Sequence, residues 1–199
     1  MIKRPILLDL PMPIRTPRLV ITPTYPEFAE QLFNAKMESI PELLEWMAWA
    51  VGDQGTLEDQ KERMCKWQAE FILREELKML VFTHDGEFVA ATGLHRINWD
   101  IPRCDIGYWC KSSAQGNGYI TEMANALTRY AFDVLKMRKV GIHVDKENMK
   151  SAAVANRLGF VHEYDDRGGI TKPHTDELRI KSVYSCFDPA VLPALDISW

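Results

Sequence analysis

The chain has 199 residues, 46% of them hydrophobic, and a formal net charge of −4. That suits one domain (residues 1–199) with a substantial core, and it gives no general drive toward nucleic acid or a membrane surface. The four cysteines, Cys65, Cys104, Cys110 and Cys186, form no Cys-x-x-Cys pair or zinc-type spacing with histidine, and no apolar run reaches signal-peptide or membrane length, so the expectation is a metal-free, reduced, cytoplasmic protein.

Residues 1–15 are interrupted by prolines and read as an irregular arm. Residues 18–21 predict a short first strand, ended by Thr22-Pro23. Phe28, Leu32 and Phe33 mark a helix face over 26–36, and Pro41 suits the first turn of another helix with Leu44, Met47 and Ala48 inward. Trp46 and Trp49 flank that stripe, either as packing residues or as projections into a cleft. After a loop at 52–55, Thr56 and Asp59 have the spacing of a capping box, and Leu57, Met64, Trp67 and Phe71 form the stripe that follows. Asp85-Gly86 between the β-rich runs 78–84 and 87–98 predicts a hairpin. A turn at 98–103 leads into an apolar, aromatic strand through Ile106 and Cys110.

That strand runs into Gln115-Gly116-Asn117-Gly118, and Ala124, Leu127, Ala131, Val134 and Leu135 then recur at helical spacing. Glycines let backbone N–H groups approach a ligand, and a helix N-terminus carries about half a positive charge, so the arrangement makes an anion site. Two better-known phosphate loops are excluded. No Gly-Lys-Ser/Thr occurs for a nucleotide-triphosphate loop. A dinucleotide fingerprint has Gly or Ala where this chain has Thr121, and the hairpin before the loop contradicts the all-parallel sheet which that fold wants, although Asp145 would pass for its acid. Beyond the helix, 139–145 alternates as a strand expected to lie parallel to the central one. A short helix follows within 148–160, with Val154, Ala155 and Leu158 inward and Gly159 as its stop. The remainder reads as strands at 161–164 and 178–187, a polar loop at 165–176, and a proline-containing tail at 188–199 that is a candidate contact for a second copy, as in a homodimer.

Two stretches carry a family resemblance. Gln115-Gly116-Asn117-Gly118-Tyr119-Ile120 resembles the Gln/Arg-x-x-Gly-x-Gly/Ala signature of the GNAT acetyltransferases, with Ile120 in place of the small residue. Ile106-Gly107-Tyr108-Trp109, Thr121-Glu122 and Thr16-Pro17-Arg18-Leu19 are similar to the RimJ/RimL branch, which is named for enzymes acetylating ribosomal-protein N-termini. The segment from Asn148 to Leu158-Gly159-Phe160 keeps the spacing of a second GNAT stretch. The resemblance covers about residues 16–187 and implies a mixed α/β fold around a central sheet of six or seven strands. It implies acetyl-coenzyme A as co-substrate, held by Trp109, Cys110, Lys111, Gln115, Gly116, Asn117, Gly118, Tyr119, Ile120, Thr121, Asn148 and Ser151. It further implies an amine acceptor: a ribosomal protein or other protein N-terminus, or alternatively a small amine. A non-catalytic acetyl-coenzyme A sensor is the remaining alternative.

Acetyl transfer to an amine requires a base for the amine, a donor for the carbonyl oxygen and a proton for the departing thiolate. Many family members carry a tyrosine as general acid where this chain has Ala155, so the resemblance moves that role to Ser151, whose bland alternative is a helix-start hydroxyl. A backbone N–H around Trp109 or Cys110 is the oxygen's candidate donor. Asp105 is either a base or a strand-edge ion pair, and His95 is either a base or acceptor contact or a structural histidine.

Overall fold

The structure is a computed structural model describing residues 2–52 and 55–199, so Asp53 and Gln54 of the expected loop lie outside the described residues. The strands are β1 (Ile14–Arg15), β2 (Leu19–Pro23), β3 (Leu77–Thr83), β4 (Phe88–Asn98), β5 (Arg103–Cys110), β6 (Lys139–Asp145), β7 (Val161–Thr171) and β8 (Leu178–Cys186). The helices are α1 (Ala29–Glu38), α2 (Ile40–Trp46), α3 (Leu57–Leu73), α4 (Tyr119–Asp133) and α5 (Met149–Arg157). The strands form one mixed sheet in the order β1-β2-β3-β4-β5-β6-β8-β7, with β5 and β6 parallel and every other pair antiparallel.

This is one strand more than the largest number expected. The addition is β1, which pairs Ile14 with Ile21 inside the arm read as irregular. Two residues are too few for alternation to show, yet Ile14 is fully buried. The hairpin forms as read, but only Gly86 of its turn takes positive φ, at +83°. At the far edge, β7 continues seven residues beyond the expected 161–164. Most of its side chains are solvated or half-buried, so its composition resembles a loop, and Gly168 (φ +76°) sits in the register shift between Arg167 and Ile170 as a bulge.

Alternation splits the sheet's side chains between two cores. Leu94, Ile106, Val140 and Ile142 face α4 and α5 in the larger one, which takes up Leu127, Ala155 and Leu158. Leu80, Phe82 and Phe88 face α1 and α3, with Leu32 and Met64, in the smaller one. Thr56 and Asp59 make both halves of the expected capping box on α3, worth about 1 kcal/mol. In α2 the inward residue is Leu43 rather than Leu44 or Ala48, because the chain extends at Met47 (φ −116°, ψ 102°) and a 3₁₀ turn at Ala48–Ala50 buries Ala50 instead. The tail folds onto its own chain: Ser198 exchanges backbone hydrogen bonds with Arg15, and Trp199 meets the Tyr130 ring edge-on at 5.7 Å. Among the described residues no helix is long and apolar enough to cross a membrane.

Candidate active site

The site begins where the sheet splits. β5 and β6 pair only at Arg103↔Lys139, Cys104↔Val140 and Asp105↔Gly141, so from Ile106 onward β5 has no partner on that side. Lys111 N–H donates to the Val89 carbonyl at 2.9 Å. Because ladder amides alternate, those of Cys110 and Tyr108 turn away from β4 toward the gap left by β6.

The glycine loop follows directly. Gly116 (φ +81°) and Gly118 (φ +76°) both occupy the left-handed region. A Cβ at Gly116 would meet nothing within 4 Å, and at Gly118 only an Arg18 nitrogen at 3.6 Å. Asn117 Nδ2 folds back to the carbonyls of Ala114 and Gln115 at 3.2 and 3.3 Å, which holds the loop tight. α3 and α5 have side-chain caps, whereas Gly118 gives α4 none, so its first amides are open to a ligand. Glu122, in α4's first turn, is turned instead toward β2: it accepts from Thr16 Oγ1 (2.6 Å), Arg18 N–H (3.0 Å) and Arg18 Nε (2.6 Å). Arg18 also donates to the Asn117 carbonyl at 2.8 Å and covers the Tyr119 ring at 4.9 Å. The Thr-x-Arg-Leu stretch and Thr121-Glu122 therefore form one clamp that fixes the loop to the sheet. Ile120 packs against the larger core, so its bulk is directed away from the loop.

A cleft of about 400 Å³ joins the gap to the face carrying α1 and α3. Ser151 lines it, with its Oγ 2.9 Å from Tyr108 Oη and its N–H donating to Asn148 Oδ1 at 3.0 Å. Asn148 thereby caps α5, leaving its Nδ2 as the group for a ligand. Burial pushes the Tyr108 phenol up to about 12, with the Ser151 hydrogen bond opposing the shift, so it stays protonated.

His95 also lines the cleft. Its Nδ1 lies 3.0 Å from Glu76 Oε2, and Glu76 pairs with Lys78 at 2.8 Å. Burial alone would raise the Glu76 carboxyl, but hydrogen bonds from Lys78 and His95 outweigh it and hold the group below its usual range. An ionised Glu76 accepts a hydrogen bond from Nδ1–H, which leaves the lone pair on Nε2. The ring lies over two glycines: a Cβ at Gly93 or Gly107 would sit 2.9 Å from its atoms. Gly107 of the Ile-Gly-Tyr-Trp stretch thus makes room for the histidine.

Asp105 is placed otherwise. It is bound to Arg96 Nε at 2.6 Å and lies 3.6 Å from His143 Nε2, and it does not line the cleft. The strand-edge ion pair describes it better than a free base, because Arg96 (φ +49°), in the register shift after His95, turns its guanidinium onto the carboxylate. Arg96 Nη2 donates to His143 Nδ1 at 3.0 Å; burial, aided by Arg96, lowers the pKa of His143 against the pull of Asp105. Of the other expected contacts, Trp109 lines the cleft. Cys110 Sγ leans on the Val89 carbonyl, Lys111 is 3.5 Å from Glu38, and Gln115 is 3.4 Å from Lys150. Tyr108, Glu76, His143 and Arg96 were not among the expected site residues; Tyr108 and Glu76 contact Ser151 and His95, while Arg96 and His143 surround Asp105.

Left-handed glycines at an uncapped helix start, beside a split strand, make a site for a phosphate-bearing ligand next to an open strand edge. The family model of the acetyltransferase (GNAT) domain matches residues 18–161, and the chain belongs to that family: it is an acetyl-coenzyme A-dependent N-acetyltransferase. It is 26% identical over 145 residues to the "Putative ribosomal N-acetyltransferase YdaF" of Bacillus subtilis, covering 73% of this chain and 79% of that one. It is 34% identical over 76 residues to the spermidine N(1)-acetyltransferase of Escherichia coli, covering 38% and 41%. In fold it resembles the ribosomal L7/L12 α-N-protein acetyltransferase RimL solved with coenzyme A, at a TM-score of 0.81 and 18% identity over 88% of this chain and 97% of that one.

Proposed function

We propose that the acceptor is the α-amine at a protein N-terminus, with a ribosomal protein as the partner suggested by the names of YdaF and RimL. The observation that carries the chemistry is that His95 and Ser151 open on one cleft from two sides of β5. An α-amine has an ordinary pKa of about 7.7–8.0 against about 10.4 for lysine, so one histidine oriented by a carboxylate suffices to take its proton.

When bound, acetyl-coenzyme A supplies the thioester carbonyl that the amine attacks. The amides of 116–121 hold its pyrophosphate, and Asn148 Nδ2 meets its pantetheine arm. His95 Nε2 removes the amine proton while Glu76 fixes the ring. The Cys110 amide, turned into the gap, donates to the carbonyl oxygen as negative charge grows there. Ser151 Oγ relays a proton to the departing sulfur, taking one from solvent as it gives its own so that coenzyme A leaves as the thiol, and Tyr108 holds that hydroxyl in place.

The small-amine alternative is raised by the name of the spermidine enzyme. Among the described residues lining the cleft, Lys78 is paired with Glu70 and Glu76, and Asp145 with Arg179 at 2.8 Å, so charge does not separate the two acceptors and the assay does. A cytoplasmic setting and a single domain belong to the same reading, the latter supported by the continuous sheet. Because the tail is committed to its own α4, a homodimer would use another face, β7 being the open edge. Coenzyme A release with free-amine peptides, compared with spermidine, tests the reading; a higher kcat/KM for spermidine would overturn it.

A further inference from the structure

We infer that the acceptor's first residue carries a large apolar or aromatic side chain, seated against a wall of tryptophans; this rests on the α-amine reading above. The chain has six tryptophans, and four of them, Trp46, Trp49, Trp67 and Trp109, line the one cleft. They arrive from unrelated places: the end of α2, the 3₁₀ turn after it, α3 and β5. A tryptophan stripe is ordinarily core packing, but here Trp49 is 45% exposed and the other three are half-buried. Trp67 and Trp109 lean on the smaller core and present their remaining surface to the cleft. Trp49 and Trp109 sit 6.4 Å apart at a 49° tilt.

Cations within the fold already accompany two of the indoles: the Arg179 guanidinium lies 5.5 Å from the Trp46 ring and Lys78 Nζ lies 5.7 Å from Trp67. Trp46 and Trp67 thus have a cation in place already, and Trp49 and Trp109 pack on each other, so what the wall presents is apolar surface. A substrate cleft is mostly apolar, with a few polar groups that fix orientation, and His95 and Ser151 supply those groups here. With the α-amine at His95, the side chain of the first residue enters the same cleft that the indoles line. A serine or alanine would leave the wall wet, whereas phenylalanine, methionine or leucine would cover it. Burying such a side chain favours the large residue by roughly tenfold to a hundredfold.

The test uses peptides identical beyond their first residue, beginning with Phe, Met, Ala or Ser, each read as kcat/KM with acetyl-coenzyme A saturating. The inference predicts Phe and Met peptides ahead of Ala and Ser peptides by at least about tenfold. Trp49→Ala should bring the ratio to within about threefold of unity, and Trp49→Phe should keep most of it, with the acetyl-coenzyme A dissociation constant confirming that each variant is folded. Equal or better turnover of the Ala and Ser peptides, or an unchanged ratio in Trp49→Ala, would overturn the inference while leaving the α-amine reading intact. Failure of every peptide alongside turnover of small amines would remove the α-amine reading and the inference with it.

Discussion

Removing the Tyr108 hydroxyl tests whether Ser151 works alone. Tyr108 Oη lies 2.9 Å from Ser151 Oγ, and the bond holds the serine hydroxyl so that its own proton can face the sulfur. A neutral hydrogen bond contributes about 0.5–1.5 kcal/mol, so Tyr108→Phe should lower kcat about 2- to 13-fold. Ser151→Ala removes the proton donor itself and should lower kcat by roughly 10²–10⁴-fold, with little change in acetyl-coenzyme A affinity. Tyr108 acts through Ser151, so the double variant should be no slower than Ser151→Ala alone. The pH profiles check the same coupling. The phenol, pushed up to about 12, adds no titration of its own in the assay range, so the Tyr108→Phe defect should fade with rising pH together with the Ser151→Ala defect. The Ser151→Ala defect should shrink toward the ordinary thiol pKa of about 8.5, where an unprotonated leaving group becomes tolerable. Steady-state kinetics from neutral to mildly alkaline pH, with affinity measured by calorimetry, gives all of these values. A double variant slower by the product of the two single effects would refute the coupling, and near-normal turnover of Ser151→Ala would return Ser151 to a helix-start hydroxyl.

Two other predictions follow from the loop and the cysteines. Gly118→Asp places a carboxylate where we propose that the pyrophosphate binds and forces a non-glycine residue to φ +76°; calorimetry should show acetyl-coenzyme A binding abolished, while the melting temperature falls only by the several degrees expected of about 1–2 kcal/mol of backbone strain, and an unchanged affinity would place the phosphate loop elsewhere. Burial holds the Cys110 thiol up at about 11 and raises those of Cys104 and Cys186, whereas Cys65 is exposed; a thiol reagent at mildly alkaline pH should titrate one fast group in the native protein, and a second group at the same rate would contradict the packing.

What could be read from the chain was local. The capping box at Thr56, the Asp-Gly hairpin, the Asn148 helix start and the Gly159 stop each depend on a few adjacent residues, and each forms. The parallel placement of β6 beside β5 was equally accessible, because a helical crossover after a buried strand has few alternatives. β1 and the outer half of β7 were not legible: two residues show no alternation, and an edge strand solvated on both faces has the composition of a loop. The site divides the same way. Gly116, Gly118 and Ser151 announce themselves by motif and spacing. His95 gains a role only when Glu76, nineteen residues away, meets Nδ1 and Gly107 makes room beneath the ring. Asp105 is engaged by Arg96, whose left-handed backbone no residue type would suggest. Tyr108 and Ser151 are 43 positions apart, and only the fold brings their hydroxyls together.

The central claim is that this site transfers an acetyl group to a protein α-amine. A peptide with a free N-terminus and one internal lysine, incubated with the protein and acetyl-coenzyme A, puts it to the most direct test through fragmentation mass spectrometry of the product. One acetyl group per peptide is expected, on the α-amine, with no product from the same peptide with its N-terminus blocked. Acetyl on the lysine, or equal modification of the blocked peptide, would contradict it.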